Sequence, residues 1–176
     1  MRLSLPLKKR KRYFYAFECE EGPGIDFPML IDPSGVFCRV DGYAGRYITG
    51  KLPSENEEEI DNNNSDVDYK YFENIIQPVL ASRVPAFRNL RLLRGWSCFE
   101  DVCTIDQMPI LGHHPFFENV TIVGGLGVHA AALAPAIGKC IAEKLLFDEY
   151  QTVDLTRFGW ERFFFDHRFD EEQLKF

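Results

Sequence analysis

The segment Asn119–Phe147 joins an apolar run, Val120-Thr121-Ile122-Val123, to a glycine cluster at Gly124, Gly125 and Gly127, and then to a helix-forming stretch. That order brings bare backbone up to an anionic ligand. Glycine lets a turn tighten and carries no Cβ to hold a ligand away. The first N–H groups of the following helix lack intrahelical partners, and the helix dipole favours negative charge there. The residues that could do chemistry are therefore backbone donors near Gly125–His129, and the chemistry is contact with a nucleotide or flavin cofactor.

Gly125-Leu126-Gly127-Val128-His129-Ala130 also matches G-x-G-x-x-[GA] after a strand. A dinucleotide fingerprint of that form needs a second parallel strand beyond the helix, with an acidic residue near its end. Only Gln151–Leu155 stands in that place, and it is short and weakly apolar. Two other possibilities stand beside the fingerprint. One is a late strand–turn–helix touching a cofactor whose main site lies elsewhere. The other is structural, with Ala130, Ala131, Ala132, Ala134 and Ala136 permitting close helix–sheet packing. His129 lies inside the turn and suits either a functional or a hydrogen-bonding role. Pro135 fits a first helical turn best, which predicts regular helix from Ala134, with Ile137, Ile141, Leu145 and Leu146 on its buried face. Lys139, Glu143 and Lys144 are then solvated.

The rest of the chain must position this turn. With 176 residues, 45% hydrophobic and 14% aromatic, the composition is that of a globular domain with a substantial core. A formal charge of −7 argues against a nucleic-acid partner. Five cysteines form no CxxC or Cys/His array, so no metal site is expected and buried, reduced thiols are. No apolar run approaches a transmembrane span. The basic N-terminus could pass for a targeting sequence. Arg12–Cys19 alternates like a strand, however, which makes Lys8–Lys11 its solvated lead-in.

Tyr13–Cys19, Pro28–Ile31, Val36–Val40 and Arg46–Thr49 are predicted strands, with turns at Glu20–Gly24, Asp32–Gly35 and Gly42–Gly45. Ser54–Asp68 is an acidic, Asn-rich loop without the ligand spacing of a calcium site. Asp68 caps a helix over Tyr69–Val84, with Phe72, Ile75, Ile76, Val79 and Leu80 buried and Pro78 kinking it or dividing it in two. Leu90–Phe99 is a strand, Thr104–Gly112 a loop leading into an extended segment, and His113-His114-Pro115 a connection. Asp154 caps a short turn bearing Leu155, Phe158 and Phe163, and a polar tail follows at 166–176. The class is α+β.

Trp96, then Thr104-x-Asp106-x-x-Pro109-x-Leu111-Gly112, then Gly125-x-Gly127-Val128-His129, then Ala134-Pro135-x-x-Gly138-Lys139 together resemble the C-terminal half of the D-amino acid oxidase and sarcosine oxidase group of flavoproteins. Lys11-Arg12-Tyr13, Gly22-Pro23-Gly24, Asp32-x-Ser34-Gly35, Arg83-Val84-Pro85-Ala86-Phe87 and Gln151-Thr152-x-Asp154-Leu155 resemble one member of that group, in its order and over nearly the whole chain. That member is linked to mitochondria and to assembly of respiratory complex I.

The resemblance implies FAD as cofactor and an incomplete domain. A substrate-side antiparallel sheet would occupy 1–112, and the return strand, glycine turn and helix of the FAD-binding domain 113–165. It implies that the backbone of Gly125, Leu126, Gly127, Val128 and His129 faces the flavin, and that Asp106, Pro109 and Gly112 line the neighbouring loop. It implies a mitochondrial location and complex I assembly intermediates as partners. No catalytic residue is assigned. The group usually has Gly-His-Gly where this chain has Val128-His129-Ala130. Some of its members place a substrate-holding lysine where this chain has Ala132, so a basic residue such as Arg46 would have to clamp a substrate carboxylate. Cys98 and Cys103 lie in the loop where some members attach flavin covalently, though not at the expected register.

Overall fold

A computed structural model describes residues 4–52 and 64–164. The predicted tail at 166–176 lies outside the described residues, as does all of the acidic loop except 64–68. The chain divides into two compact units, Lys11–Phe99 and a second made of Met1–Arg10 with Glu100–Phe176. The division falls within two long strands, β1 (Leu7–Glu18) and β5 (Arg91–Cys103). Residues 100–112 group with the later chain because they are bonded to it and to the N-terminal segment: Thr104 N–H donates to the Pro6 carbonyl at 2.8 Å.

A five-stranded sheet dominates Lys11–Phe99, in the order β2 (Leu30–Ile31), β3 (Val36–Asp41), β4 (Tyr43–Lys51), β1 (Leu7–Glu18), β5 (Arg91–Cys103). The β2/β3, β3/β4 and β1/β4 pairings are antiparallel, with Tyr15 opposite Thr49 and Phe17 opposite Tyr47. Alternation puts Tyr13, Tyr15 and Phe17 on one face with Val36, Cys38 and Tyr47, and a helix covers them. Asp68 caps that helix by accepting from Lys70 N and Tyr71 N at 2.9 and 3.2 Å. It runs from α1 (Tyr69–Tyr71) through a π-turn (Phe72–Ile76) into α2 (Gln77–Arg83). The π-turn divides the helix just before Pro78, which falls in the first turn of α2, where its missing N–H is tolerated. Phe72, Ile76 and Leu80, four residues apart, are fully buried, whereas Ile75 falls off that line and is exposed. Phe87 closes the core with edge-on contacts to Phe17 and Tyr47 at 5.1 and 4.9 Å. Each such side chain contributes about 1.5–3 kcal/mol by leaving water.

Two expectations for this unit change. Lys8–Lys11 belong to β1, which begins at Leu7; Lys8 and Lys9 are exposed as expected, but Lys11 is 2% exposed, with its ammonium on Asn64 Oδ1 at 2.8 Å and over the Tyr13 ring. The turn between β3 and β4 is Gly42 alone, with φ +72, and Gly45 lies within β4. The turn Asp32–Gly35 is as expected, closed by Gly35 N–H to Asp32 O at 2.8 Å with Gly35 at φ +86.

In the second unit, β6 (Ile110–His114) and β7 (Phe117–Gly124) form an antiparallel hairpin, so His113 and His114 belong to a strand and not to a connection. Cys103, Ile110, Ile122 and Trp160 make a small core. Beyond β7, a 3₁₀ turn (Gly127–His129) leads into α3 (Ala130–Phe147), four residues earlier than predicted, which leaves Pro135 inside the helix. The 3₁₀ turn starts the winding, so proline's missing donor falls at the second turn and costs one internal bond. Ile137 and Cys140 are buried, but Leu145 and Leu146 are 58% and 76% exposed. Glu143, predicted solvated, is buried because its carboxylate accepts the N–H groups of Gln151 and Thr152 at 3.0 and 2.9 Å. Asp154 caps the next turn through Thr156 N–H, and α4 (Glu161–Phe164) follows. Among the described residues no strand follows α3.

Candidate functional site: the glycine turn and its neighbours

The site lies within the second unit. β7 delivers Gly124 opposite Ile110, and the chain then turns through Gly125 (φ +73), Leu126 (φ −74) and Gly127 (φ +53). Successive residues of opposite hand turn their N–H groups to one side and form an anion- or carbonyl-binding concavity. The three glycines have different reasons. A Cβ on Gly124 would lie 2.8 Å from a Leu7 methyl, so closeness excludes it. Gly127 has nothing nearer than 3.9 Å, so its backbone conformation, not lack of room, requires glycine. Gly125 has both constraints, with Leu7, the Cys103 N and the Met108 O at 3.3–3.4 Å.

The donors of the turn divide sharply. Gly125 N–H donates to Asp101 Oδ2 at 2.5 Å. His129 N–H donates to Leu126 O at 3.2 Å, and Ala130 N–H to Gly127 O. Among the described residues, the N–H groups of Leu126 and Gly127 have no such partner. No side chain caps α3, and Val128 and His129 are exposed at its start. The turn thus keeps two adjacent backbone donors at the positive end of an 18-residue helix.

The loop before β6 packs beside this turn. The Asp106 carboxylate holds Arg162, with Nε–Oδ2 2.7 Å and Nη2–Oδ1 3.2 Å, both side chains being at most 2% exposed. Burial pushes the Asp106 carboxyl up, but its bonds to the Arg162 guanidinium and the Met108 N–H outweigh this and hold it below the ordinary value. Arg162 also donates to the carbonyls of Phe158, Gly159 and Met108. This single guanidinium therefore ties residues 106–108 to the turn at 158–159. Pro109 follows, half-buried, and Gly112 sits in β6 at φ +116, where a side chain would meet the Tyr150 hydroxyl.

Arg46 belongs to the other unit. It lies exposed on β4 opposite Glu18, in a cleft also lined by Glu20, Gly22 and Gly24. Cys98 is exposed, whereas burial pushes the Cys103 thiol up and disfavours its nucleophilic form. Among the described residues no cluster of His, Cys, Asp or Glu could hold a metal, and no helix is long and apolar enough to cross a membrane. Asp101 and Arg162 were not singled out from sequence. Asp101 is one acid among several, and Arg162 gains meaning only once a contact spanning 56 residues forms.

A family model described as FAD dependent oxidoreductase matches residues 2–144. FAD-dependent oxidoreductase domain-containing protein 1 of Xenopus laevis is 40% identical over 161 residues, covering 92% of this chain and 32% of that protein. The chain thus spans about a third of the length of such curated relatives. The fold is shared with the crystal structure of L-proline dehydrogenase from P. horikoshii, at TM-score 0.78 and 20% identity over 94% of this chain and 42% of that one. It is shared also with glycine oxidase from Geobacillus kaustophilus, at TM-score 0.71 and 19% identity over 89% and 40%. The mixed helix and antiparallel-sheet architecture is therefore that of these enzymes.

Proposed function

The chain belongs to the FAD dependent oxidoreductase family, and from that premise we propose that it supplies the glycine turn and substrate-side sheet of an enzyme moving hydride from an amine- or hydroxyl-bearing carbon to flavin. We further propose that it serves respiratory complex I assembly in the mitochondrion, a setting supported by sequence resemblance alone. FAD is the cofactor of the family. The residues present fit it: two unengaged neighbouring N–H groups, at Leu126 and Gly127, lie in a turn whose left-handed glycines carry no side chain of their own. That pair of donors is the observation that carries the proposal.

Bound FAD would supply the hydride acceptor. The chain's own part is orientation and electrostatics. Leu126 and Gly127 would donate to a carbonyl at the pyrimidine edge of the ring, and the start of α3 would add positive potential where negative charge gathers during reduction. Gly125, Val128 and His129 shape that turn. Asp106 acts through Arg162 to fix the loop carrying Pro109, and Gly112 keeps β6 close to Tyr150. Arg46 is the substrate-side candidate, a guanidinium able to hold a carboxylate.

The test is flavin absorbance of the protein expressed with its neighbouring genomic sequence, followed by anaerobic bleaching with amine and hydroxyl substrates. Bound, substrate-bleachable flavin is expected; a colourless folded protein overturns the proposal. Residues 1–176 alone should bind FAD weakly. Gly127→Val should weaken FAD binding about tenfold or more, since a β-branched residue resists positive φ.

A second function is favoured by one observation, the Ala132 that stands where the resembled lysine would hold substrate. Here the flavin is structural and the domain holds an assembly partner without turnover. Capture of complex I intermediates by wild type and His129→Ala protein separates the two. Binding lost only together with flavin, in a protein that does not bleach, points to the scaffold.

A further inference from the structure

The Asp101–Gly125 bond bears on what the turn accepts, and it rests on the proposal that this turn meets FAD. Asp101 comes from the end of β5, 24 residues before Gly125, in the same unit. Its carboxylate holds the first N–H of the concavity formed by Gly125, Leu126 and Gly127, leaving the next two unengaged. The neighbouring Glu100 is 7% exposed in its side chain and paired with Arg10 at 3.3 Å. Among the described residues Asp101 has no cation of its own. One uncompensated carboxylate therefore sits at a backbone concavity of the kind that elsewhere takes phosphate.

The geometry points to Asp101 as a positioning residue: it locks Gly125 in its left-handed conformation, and its charge restricts the two remaining donors to a neutral carbonyl oxygen. A phosphate placed on Leu126 and Gly127 N–H would face the Asp101 carboxylate, and like charges at that range repel. A ring carbonyl carries no such penalty. This separates two chemistries that the G-x-G-x-x-A pattern leaves open, since a dinucleotide fingerprint uses its glycines for pyrophosphate. The carboxylate also opposes gain of negative charge nearby, so it lowers the potential at which a bound ring is reduced.

The experiment compares Asp101→Ala and Asp101→Asn with wild type by three measurements. Amide hydrogen exchange at Gly125–Gly127 needs no cofactor. FAD dissociation constant and flavin midpoint potential use the protein expressed with its neighbouring sequence. Asp101→Ala should speed exchange at Gly125 about tenfold or more, with the β6–β7 amides unchanged, and weaken FAD binding by a similar factor. Asp101→Asn keeps an acceptor oxygen without charge. It should restore the exchange protection and move the midpoint potential to a more positive value, which a merely structural side chain would not do. Wild-type exchange and affinity in Asp101→Ala, or an unchanged potential in Asp101→Asn, overturns the inference and leaves the proposed function standing. Absence of FAD from wild-type protein overturns both. Should Asp101→Ala fail to fold, Asp101→Asn alone decides through the potential.

Discussion

The two units solve the problem of cohesion differently. Lys11–Phe99 encloses a continuous aromatic core, in which Tyr15, Phe17, Tyr47, Phe72 and Phe87 are fully buried. In the unit built from residues 1–10 and 100–176, the core cluster among the described residues holds four buried side chains, and polar ties join it: Asp106 to Arg162, Glu143 to Gln151 and Thr152, Asp101 to Gly125. Its longest helix exposes Leu133, Leu145, Leu146 and Phe147. Apolar burial is undirected and tolerates drift, whereas a bonded carboxylate fixes distances. The unit that carries the glycine turn is thus positioned by directional contacts, which suits a site that must hold backbone donors in place.

The two tryptophans make this contrast measurable, because Trp96 lies in one unit and Trp160 in the other. Phe87→Ala should have the largest effect, about 3–5 kcal/mol of destabilisation read from Trp96 fluorescence in a Trp160→Phe background. A loss below 1 kcal/mol would mean that the aromatic core does not hold that unit. Arg162→Met, read from Trp160 in a Trp96→Phe background, should cost about 3 kcal/mol, because it leaves the buried Asp106 carboxylate without its cation. An equal response of both tryptophans would erase the distinction between the units.

Acid supplies a milder perturbation. Asp32 is held down to about 2 from 3.8, mainly by the Ser34 backbone and side chain with Arg83 assisting. A carboxylate depressed by folding contributes stability that is complete above its unfolded pKa and is lost as pH falls through the folded one. The Asp32 contribution should therefore fade between 3.8 and about 2. Asp106 is also depressed, so its contribution is lost on the acid side in the same sense. Thermal melts carried to acid pH should show a Trp160 midpoint falling with pH in wild type and a flatter one in Arg162→Met. The smallest effect is expected at Leu146→Gln, within about 0.5 kcal/mol, since that side chain is already in solvent.

Much of this was legible from residue order. The strands of the first unit, the Asp32–Gly35 turn, the Asp68 cap and the spacing of Phe72, Ile76 and Leu80 follow from local periodicity and turn chemistry. The glycine turn was legible for the same reason, as three glycines between a strand and a helix have few uses. What was not legible depends on contacts far apart in the chain. Lys11 reads as solvated until Asn64 and Tyr13 surround it, and Glu143 until the chain doubles back through Gln151. Leu145 and Leu146 read as core because amphipathic spacing reveals a face but not whether anything covers it. Arg162 and Asp101 carry no local signal, and both act on segments that sequence distance hides.

Among the partners of residues 6–10 are Glu100, Thr104 and Gln107, while the whole of Lys11–Phe99 lies between them in the chain. Residues 6–10 leave the ribosome before Lys11–Phe99, yet their seat does not exist until that complete unit has followed. This short segment must wait, tethered to a body that can already have folded, before the site it helps to frame can close.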